Sequence, residues 1–353
     1  MAKISNKGPT VAVLGAAGYT GRFVIPDLLS RGMTPIAIGR SLEALKAAKF
    51  ADGVILREAN IDDPESLAKA FEGAEAVIHL AGPFLDTGEQ VVNAAIKAGI
   101  HYVDVAAEQI NTQTLFEKYD EPARKAGIAV VPAMAFFGGL PDLIATSLME
   151  GWDSVDSVEV MIGFDRWHPT KGTRNTLNRK AVGDTVFKEG RLALTSHAPV
   201  EKDWSFAHPV GDQPVLEVPF SETILMAQHL KTSEVRTFIT KVALNDVMDP
   251  NAPLPKAADK KGRSAQNYVL DIIVTRGNEQ RRAHAHGNDG YAITAPMVGK
   301  AVELLTSGKV RATGVKAPGD IFDAKEILEM LAVDHCTFGG VTPVVGATLT
   351  GRR

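Results

Sequence analysis

Three glycines and a following arginine carry the most specific chemistry in this chain. The run Val11-Ala-Val-Leu-Gly15-Ala-Ala-Gly18-Tyr19-Thr20-Gly21-Arg22 passes from β-forming residues through a glycine turn into a helix. That helix would bury Phe23, Val24, Leu28 and Leu29 on one face. Glycines at a strand-to-helix turn let the backbone approach a pyrophosphate, and the helix N-terminus offers it free N–H groups and a positive dipole end. The next apolar run, Pro35-Ile-Ala-Ile-Gly39, ends in Arg40-Ser41. An acid there would hydrogen-bond the ribose 2′-OH of NAD, whereas arginine suits the 2′-phosphate of NADP. The pattern therefore predicts NADPH, with NAD the weaker fit. Arg22 is a second candidate phosphate partner. The competing readings are a tight turn that uses glycine for steric reasons, and an Arg40 that merely precedes a helix capped by Ser41.

A second candidate cluster lies in residues 166–180. Arg166, Lys171, Arg174, Arg179 and Lys180 fall there, with no acid between Asp165 and Asp184. Arginines offer bidentate geometry, so Arg174 and Arg179 are candidate clamps for a substrate carboxylate or phosphate. The alternative is a solvated loop. His168 is a candidate acid–base group, because imidazole titrates near neutral pH.

Composition narrows the class. The chain has 353 residues and a formal net charge of −4, so nucleic acid is not an expected partner. The single cysteine, Cys336, excludes an intramolecular disulfide and any cysteine cluster for zinc. His284 and His286 would share one strand face, but no metal site is expected. The N-terminal residues hold no apolar signal core, and the run 128–140 is too short to span a bilayer, so a cytoplasmic location without membrane contact is expected. No tyrosine has a lysine four residues on, and Cys336 is remote from any strand–helix junction that would present a thiolate. Short-chain-dehydrogenase and semialdehyde-dehydrogenase chemistry are thereby disfavoured.

The elements that must position these residues follow from periodicity. Strand and helix periods alternate through residues 1–150, which predicts an α/β, doubly wound parallel sheet of six strands binding NADP. From Trp152 strand-like runs follow one another: 155–162, 216–218, 235–244, 268–275 and 279–285. They predict a second, α+β domain over 151–290 with a mixed or antiparallel sheet, serving substrate binding and dimerisation. Residues 291–353 read as helices 294–306 and 318–331 and an irregular tail, packing back on the core. The proline- and lysine-rich stretch 249–262 reads as a mobile loop.

Taken together, Gly15-Ala-Ala-Gly-Tyr19-Thr20-Gly-Arg22, the loop Ala81-Gly82-Pro83-Phe84, Gly99-Ile-His-Tyr-Val-Asp104 and Leu140-Pro-Asp142-Leu resemble the saccharopine dehydrogenase-like oxidoreductases. The stretches beginning at Tyr291 and Gly314 resemble the short bacterial members of that family. The resemblance implies NAD(P) on a Rossmann domain, a substrate held between it and an α/β domain, and a homodimer. It implies further that Ala81, Gly82 and Pro83 approach the nicotinamide end, that Asp62 lies near the adenine, and that Asp104 faces the nicotinamide pocket. An acid at a strand end beside the cofactor crevice is also well placed for proton transfer. Where many relatives carry an acidic turn after the sixth strand, this chain has Ala135-Phe136-Phe137-Gly138-Gly139, which gives Phe137 to an apolar substrate wall. The expected activity is NADPH-dependent hydride transfer to a small imine or carbonyl compound. The alternatives are reduction of a C=C bond in lipid or polyketide-like metabolism, and a non-catalytic NADP(H)-binding sensor.

Overall fold

The computed structural model describes residues 8–177, 184–195 and 198–340. Its first half alternates strand and helix: β1 (Thr10–Leu14), α1 (Gly21–Ser30), β2 (Thr34–Gly39), α2 (Leu42–Ala47), β3 (Ile55–Glu58), α3 (Pro64–Ala70), β4 (Ala76–His79), α4 (Phe84–Ala98) and β5 (His101–Asp104). Then come α5 (Gln109–Thr114), a π-helical turn (Leu115–Tyr119), α6 (Asp120–Ala126), β6 (Ala129–Val131) and α7 (Gly139–Leu148). The second half contains β7 (Val155–Phe164), α8 (Lys171–Leu177), β8 (Thr185–Lys188), β9 (Arg191–Leu194), β10 (Glu201–Ser205), β11 (Asp212–Glu217), α9 (Ser221–His229), β12 (Thr232–Thr240), α10 (Lys241–Met248), β13 (Asn267–Arg276) and β14 (Glu279–Asn288). It closes with α11 (Thr294–Thr306), β15 (Gly314–Val315), α12 (Pro318–Ile321), α13 (Ala324–Asp334) and β16 (Thr337–Gly340).

The first sheet is parallel and Rossmann-like, in the order β15-β6-β5-β4-β1-β2-β3. The two-residue side-chain period of a strand explains why its runs are apolar throughout. Val11 and Val13 pack into the cluster on one face, while Ala12 and Leu14 pack into the cluster on the other. The seventh strand, β15, comes from far along the chain and extends the expected six. The order reverses at β1, between β2 and β4, which opens a crevice at the carboxyl ends of the strands.

The second sheet runs β10-β11-β12-β7-β13-β14-β16 with β8 and β9 attached beside β12; β7 and β12 pair in parallel and the other neighbours antiparallel. It is mixed, as its sequence pattern suggests. Helix α7 packs on the second sheet and is buried from Gly139 to Ala145, its one charged residue there, Asp142, being paired with His229 and Gly319 N. Helix α11 packs on α1 and β5, and α7 on β13 and α13, so one continuous core joins both sheets.

Several boundaries differ from the sequence pattern. Helices α8, α9 and α10 stand between the strands of the second half, where none is expected. The run 235–244 breaks at Thr240, where β12 gives way to α10. The expected 318–331 helix is two helices, because the Asp323 carboxylate caps a new start by accepting from Glu326 N at 3.2 Å. Residues 337–340 of the tail are a strand paired with β14, and the tail beyond residue 340 lies outside the described residues. No described helix is long and apolar enough to cross a membrane.

Candidate functional site

The glycine turn is sterically compulsory. Gly15 has φ +87°, and a Cβ there would lie 3.0 Å from Ala81 N. A Cβ on Gly18 would lie 3.1 Å from Gly15 O, and one on Gly21 only 2.1 Å from Ala16 O. The turn thus has no side chain at three positions, and α1 begins with no acid in its first turn and no side-chain cap from Thr20. Such a bare helix start fits an anionic pyrophosphate. Arg40 is exposed just past the end of β2. Ser41 Oγ accepts from Ala44 N at 3.2 Å and so caps α2. Asp62 is exposed too, and its N–H donates to Asn60 Oδ1.

Two expected cofactor ligands turn elsewhere. The Tyr19 hydroxyl donates to the buried Asp289 carboxylate at 2.6 Å, and the Arg22 guanidinium donates to Gly262 O at 2.6 Å while stacking 3.8 Å above the Tyr19 ring. Burial first, then the Asp289 contact, pushes the Tyr19 pKa well above its usual value. These side chains tie the glycine turn to the C-terminal half, and Arg22 also borders a small pocket lined by Ala16, Ala17 and Gly18 of the turn.

A cavity of about 400 Å³ opens at the carboxyl ends of β4 and β5. Leu80, Gly82, Val105 and Glu108 form its first-sheet side, joined by Thr20 from the turn. The opposite wall is aromatic: Phe136, Phe137, Phe164, Trp167 and Phe220. The Phe137 ring centroid lies 4.6 Å from Phe220 and 5.4 Å from Trp167, and Phe164 stacks on Trp167 at 5.3 Å. Tyr291 completes it, its hydroxyl accepting from Trp167 Nε1 at 2.9 Å. Among the described residues no lysine, arginine or histidine lines the cavity.

The Ala81-Gly82-Pro83 rim is held from beneath by His79. His79 is fully buried, and burial lowers its pKa to about 3, so its ring is neutral. Its Nδ1 accepts from Ala81 N, which leaves Nε2 to donate to Thr87 Oγ1 at 3.1 Å. Thr87 in turn donates to the carbonyls of Ala81 and Pro83.

The expected acid–base and clamping residues fare differently. Asp104 is 0% exposed and outside the cavity lining. Its Oδ1 accepts from Ala106 N and Ala133 N, and its Oδ2 from Tyr102 Oη and Asn111 Nδ2, at 2.7–3.1 Å. It staples β5, β6 and α5 together, which corrects the proton-transfer expectation. His168 is also outside the lining, its N–H donating to Gln266 Oε1. Arg174 donates to the carbonyls of Asp249, Pro250 and Ala252, so it clamps a loop of the chain itself instead of a substrate. Arg179 lies outside the described residues. Phe137 does stand in the wall.

Sequence reasoning missed Glu108 and Asp184, the two carboxyl groups that line the cavity, and the anchors His79 and Asp289. The strand-end rule pointed to the end of β5, where Glu108, four residues beyond Asp104, is the acid that lines the cavity. His284 and His286 stand side by side with ring centroids 6.3 Å apart, and no metal-holding cluster occurs among the described residues.

Residues 11–131 match the family described as the saccharopine dehydrogenase NADP binding domain. A lipid droplet localized protein of Caenorhabditis elegans is 29% identical over 200 residues, covering 52% of this chain and 47% of that protein. A saccharopine dehydrogenase-like oxidoreductase of Bos taurus is 27% identical over 145 residues, covering 36% of this chain and 34% of that protein. The matches thus span half or less of these relatives. The apo saccharopine dehydrogenase (L-Glu forming) of Saccharomyces cerevisiae superposes with a TM-score of 0.67 at 15% identity, over 95% of this chain and 100% of that one, and so shares the fold. Residues 11–131 are thus similar to the NADP binding domain of the saccharopine dehydrogenase family, and the chain as a whole shares the fold of the yeast enzyme.

Proposed function

We propose that this chain is an NADPH-dependent oxidoreductase of an uncharged, largely apolar imine or carbonyl compound. One observation carries the reading: an aromatic-walled cavity, free of cations among the described residues, opens beside the glycine cradle at the carboxyl ends of β4 and β5. Open α/β sheets bind their ligands in that crevice. Gly15, Gly18 and Gly21 would admit the pyrophosphate, Arg40 the 2′-phosphate, and Gly82 with Pro83 would border the nicotinamide. When bound, NADPH supplies the hydride. The aromatic wall excludes water and offers flat apolar surface, which suits an uncharged substrate.

Fluorescence titration with NADPH and NADH, followed by a panel of ketones, imines and enones, tests the proposal. R40A is expected to weaken NADPH binding by about 10- to 100-fold, the worth of one charged hydrogen bond, and to leave NADH binding within about twofold. Equal affinities of the wild-type chain for the two dinucleotides would overturn the assigned preference. The flat aromatic slot also favours a second reading, reduction of a conjugated C=C bond. Product analysis separates them: an alcohol or amine under the first, a saturated carbonyl under the second.

A further inference from the structure

We propose that Glu108 is the catalytic acid of this cavity, delivering the proton that completes reduction of the substrate; the assignment rests on the oxidoreductase reading above. Three observations converge on this residue. The loop Val105-Ala-Ala-Glu108 leaves the end of β5, where the crevice lies, and brings the carboxyl into the cavity lining. Glu108 Oε1 accepts from Phe84 N and from Thr176 Oγ1, each at 3.2 Å, so α4 of the first half and α8 of the second grip the same oxygen. The group is therefore fixed from both walls of the cavity rather than waving in it.

The charges around Glu108 favour its neutral form. No lysine, arginine or histidine among the described residues shares the lining. Among the described residues, the ionisable groups around it are acidic: Asp104 behind it, Asp184 in the same lining, and the phenols of Tyr102 and Tyr291. Burial raises its pKa above the usual carboxylate range and the Asp104 charge adds to this, with the Phe84 and Thr176 hydrogen bonds opposing. Two other candidates are spoken for. Asp104 accepts four hydrogen bonds outside the cavity, and the Tyr291 hydroxyl is engaged by Trp167, Thr170 and Thr173.

The step balances. The Glu108 O–H bond breaks and the proton goes to the substrate oxygen or nitrogen, or to carbon in the C=C case. The carbon at the other end of the double bond takes the hydride pair from the dinucleotide, and the substrate gains two electrons. Water then reprotonates the Glu108 carboxylate.

E108Q isolates the proton, because a glutamine Oε1 still accepts from Phe84 N and Thr176 Oγ1 but has none to give. The wild-type minus E108Q infrared difference spectrum at neutral pH is expected to show a protonated-carboxyl C=O stretch. Turnover is expected to fall about 100-fold or more in E108Q. NADPH affinity and unfolding midpoint should stay unchanged, and the decline of kcat at high pH expected of the wild type should be absent from E108Q. A difference spectrum lacking the acid band overturns the proposal, as does E108Q turning over within about threefold of wild type with the same pH profile. If the wild-type chain oxidises NADPH with no panel compound, the oxidoreductase reading fails and the role of Glu108 falls with it. Activity in wild type that survives E108Q overturns the assignment of Glu108 alone.

Discussion

Asp104 and Glu108 sit four residues apart at the end of β5, and their neighbours give them different work. Asp104 meets two backbone N–H groups, a phenol and an amide, which use both carboxylate oxygens. Burial pushes its pKa up while these donors hold it down. A group so enclosed positions β5, β6 and α5. D104N keeps the shape but turns an amide N–H₂ toward donors, and is expected to cost about 1–3 kcal/mol in urea unfolding. NADPH affinity should stay within about twofold. An intact unfolding midpoint with turnover abolished would return Asp104 to the chemistry.

At the scale of elements, two buried histidines join helices and loops and respond to pH in opposite directions. The last residue of α9, His229, meets Asp142 Oδ1 of α7 at 2.7 Å, and the other oxygen of Asp142 accepts from Gly319 N of α12 at 2.7 Å. Burial opposes charging His229, but the Asp142 carboxylate beside it prevails and raises its pKa above the usual 6.5. A raised folded pKa contributes stability that is fully present below 6.5 and lost as pH rises through the folded value. Chemical denaturation between about pH 6 and about pH 8.5 should therefore show wild type losing stability relative to H229Q as pH rises; parallel curves would refute the pairing. His79 behaves conversely. It is neutral when folded and takes a proton only when unfolded below 6.5, so its contribution is lost as pH falls from 6.5 toward about 3.

Across the whole molecule, the segment between α10 and β13 straps the two halves together. Arg174 of α8 holds the carbonyls of Asp249, Pro250 and Ala252, and Arg22 beside the glycine turn holds that of Gly262. The strap is pinned at both ends, which is why a stretch rich in proline and lysine takes a defined path. R174A is expected to raise hydrogen exchange at Asn251 and Ala252 while leaving KM within about threefold. A rise in KM of about 100-fold with exchange unchanged would restore Arg174 as a substrate clamp, since that is what losing a charged contact costs.

How far the sequence reaches depends on the range of the interactions involved. The strand–glycine–helix turn was legible because its requirements are local: a Cβ on Gly21 collides with Ala16, five residues away. The parallel sheet was legible because apolar runs alternating with amphipathic helices leave few other ways to bury both faces. The helices of the second half were not. α9 is buried from Ser221 to Met226 and so includes polar residues, Ser221 and Glu222 among them, that tertiary partners make tolerable. The directions of Arg22, Tyr19 and Arg174 were hidden too, because their partners lie 240, 270 and 75–78 residues away. By itself the sequence determined a dinucleotide cradle with Arg40 beside it, since both follow from the order of neighbouring residues. The tertiary structure decided what the cradle faces. Phe137, the pair Phe164 and Trp167, and Phe220 come from three separate segments, and long-range packing alone makes them one wall of the cavity that Glu108 also lines.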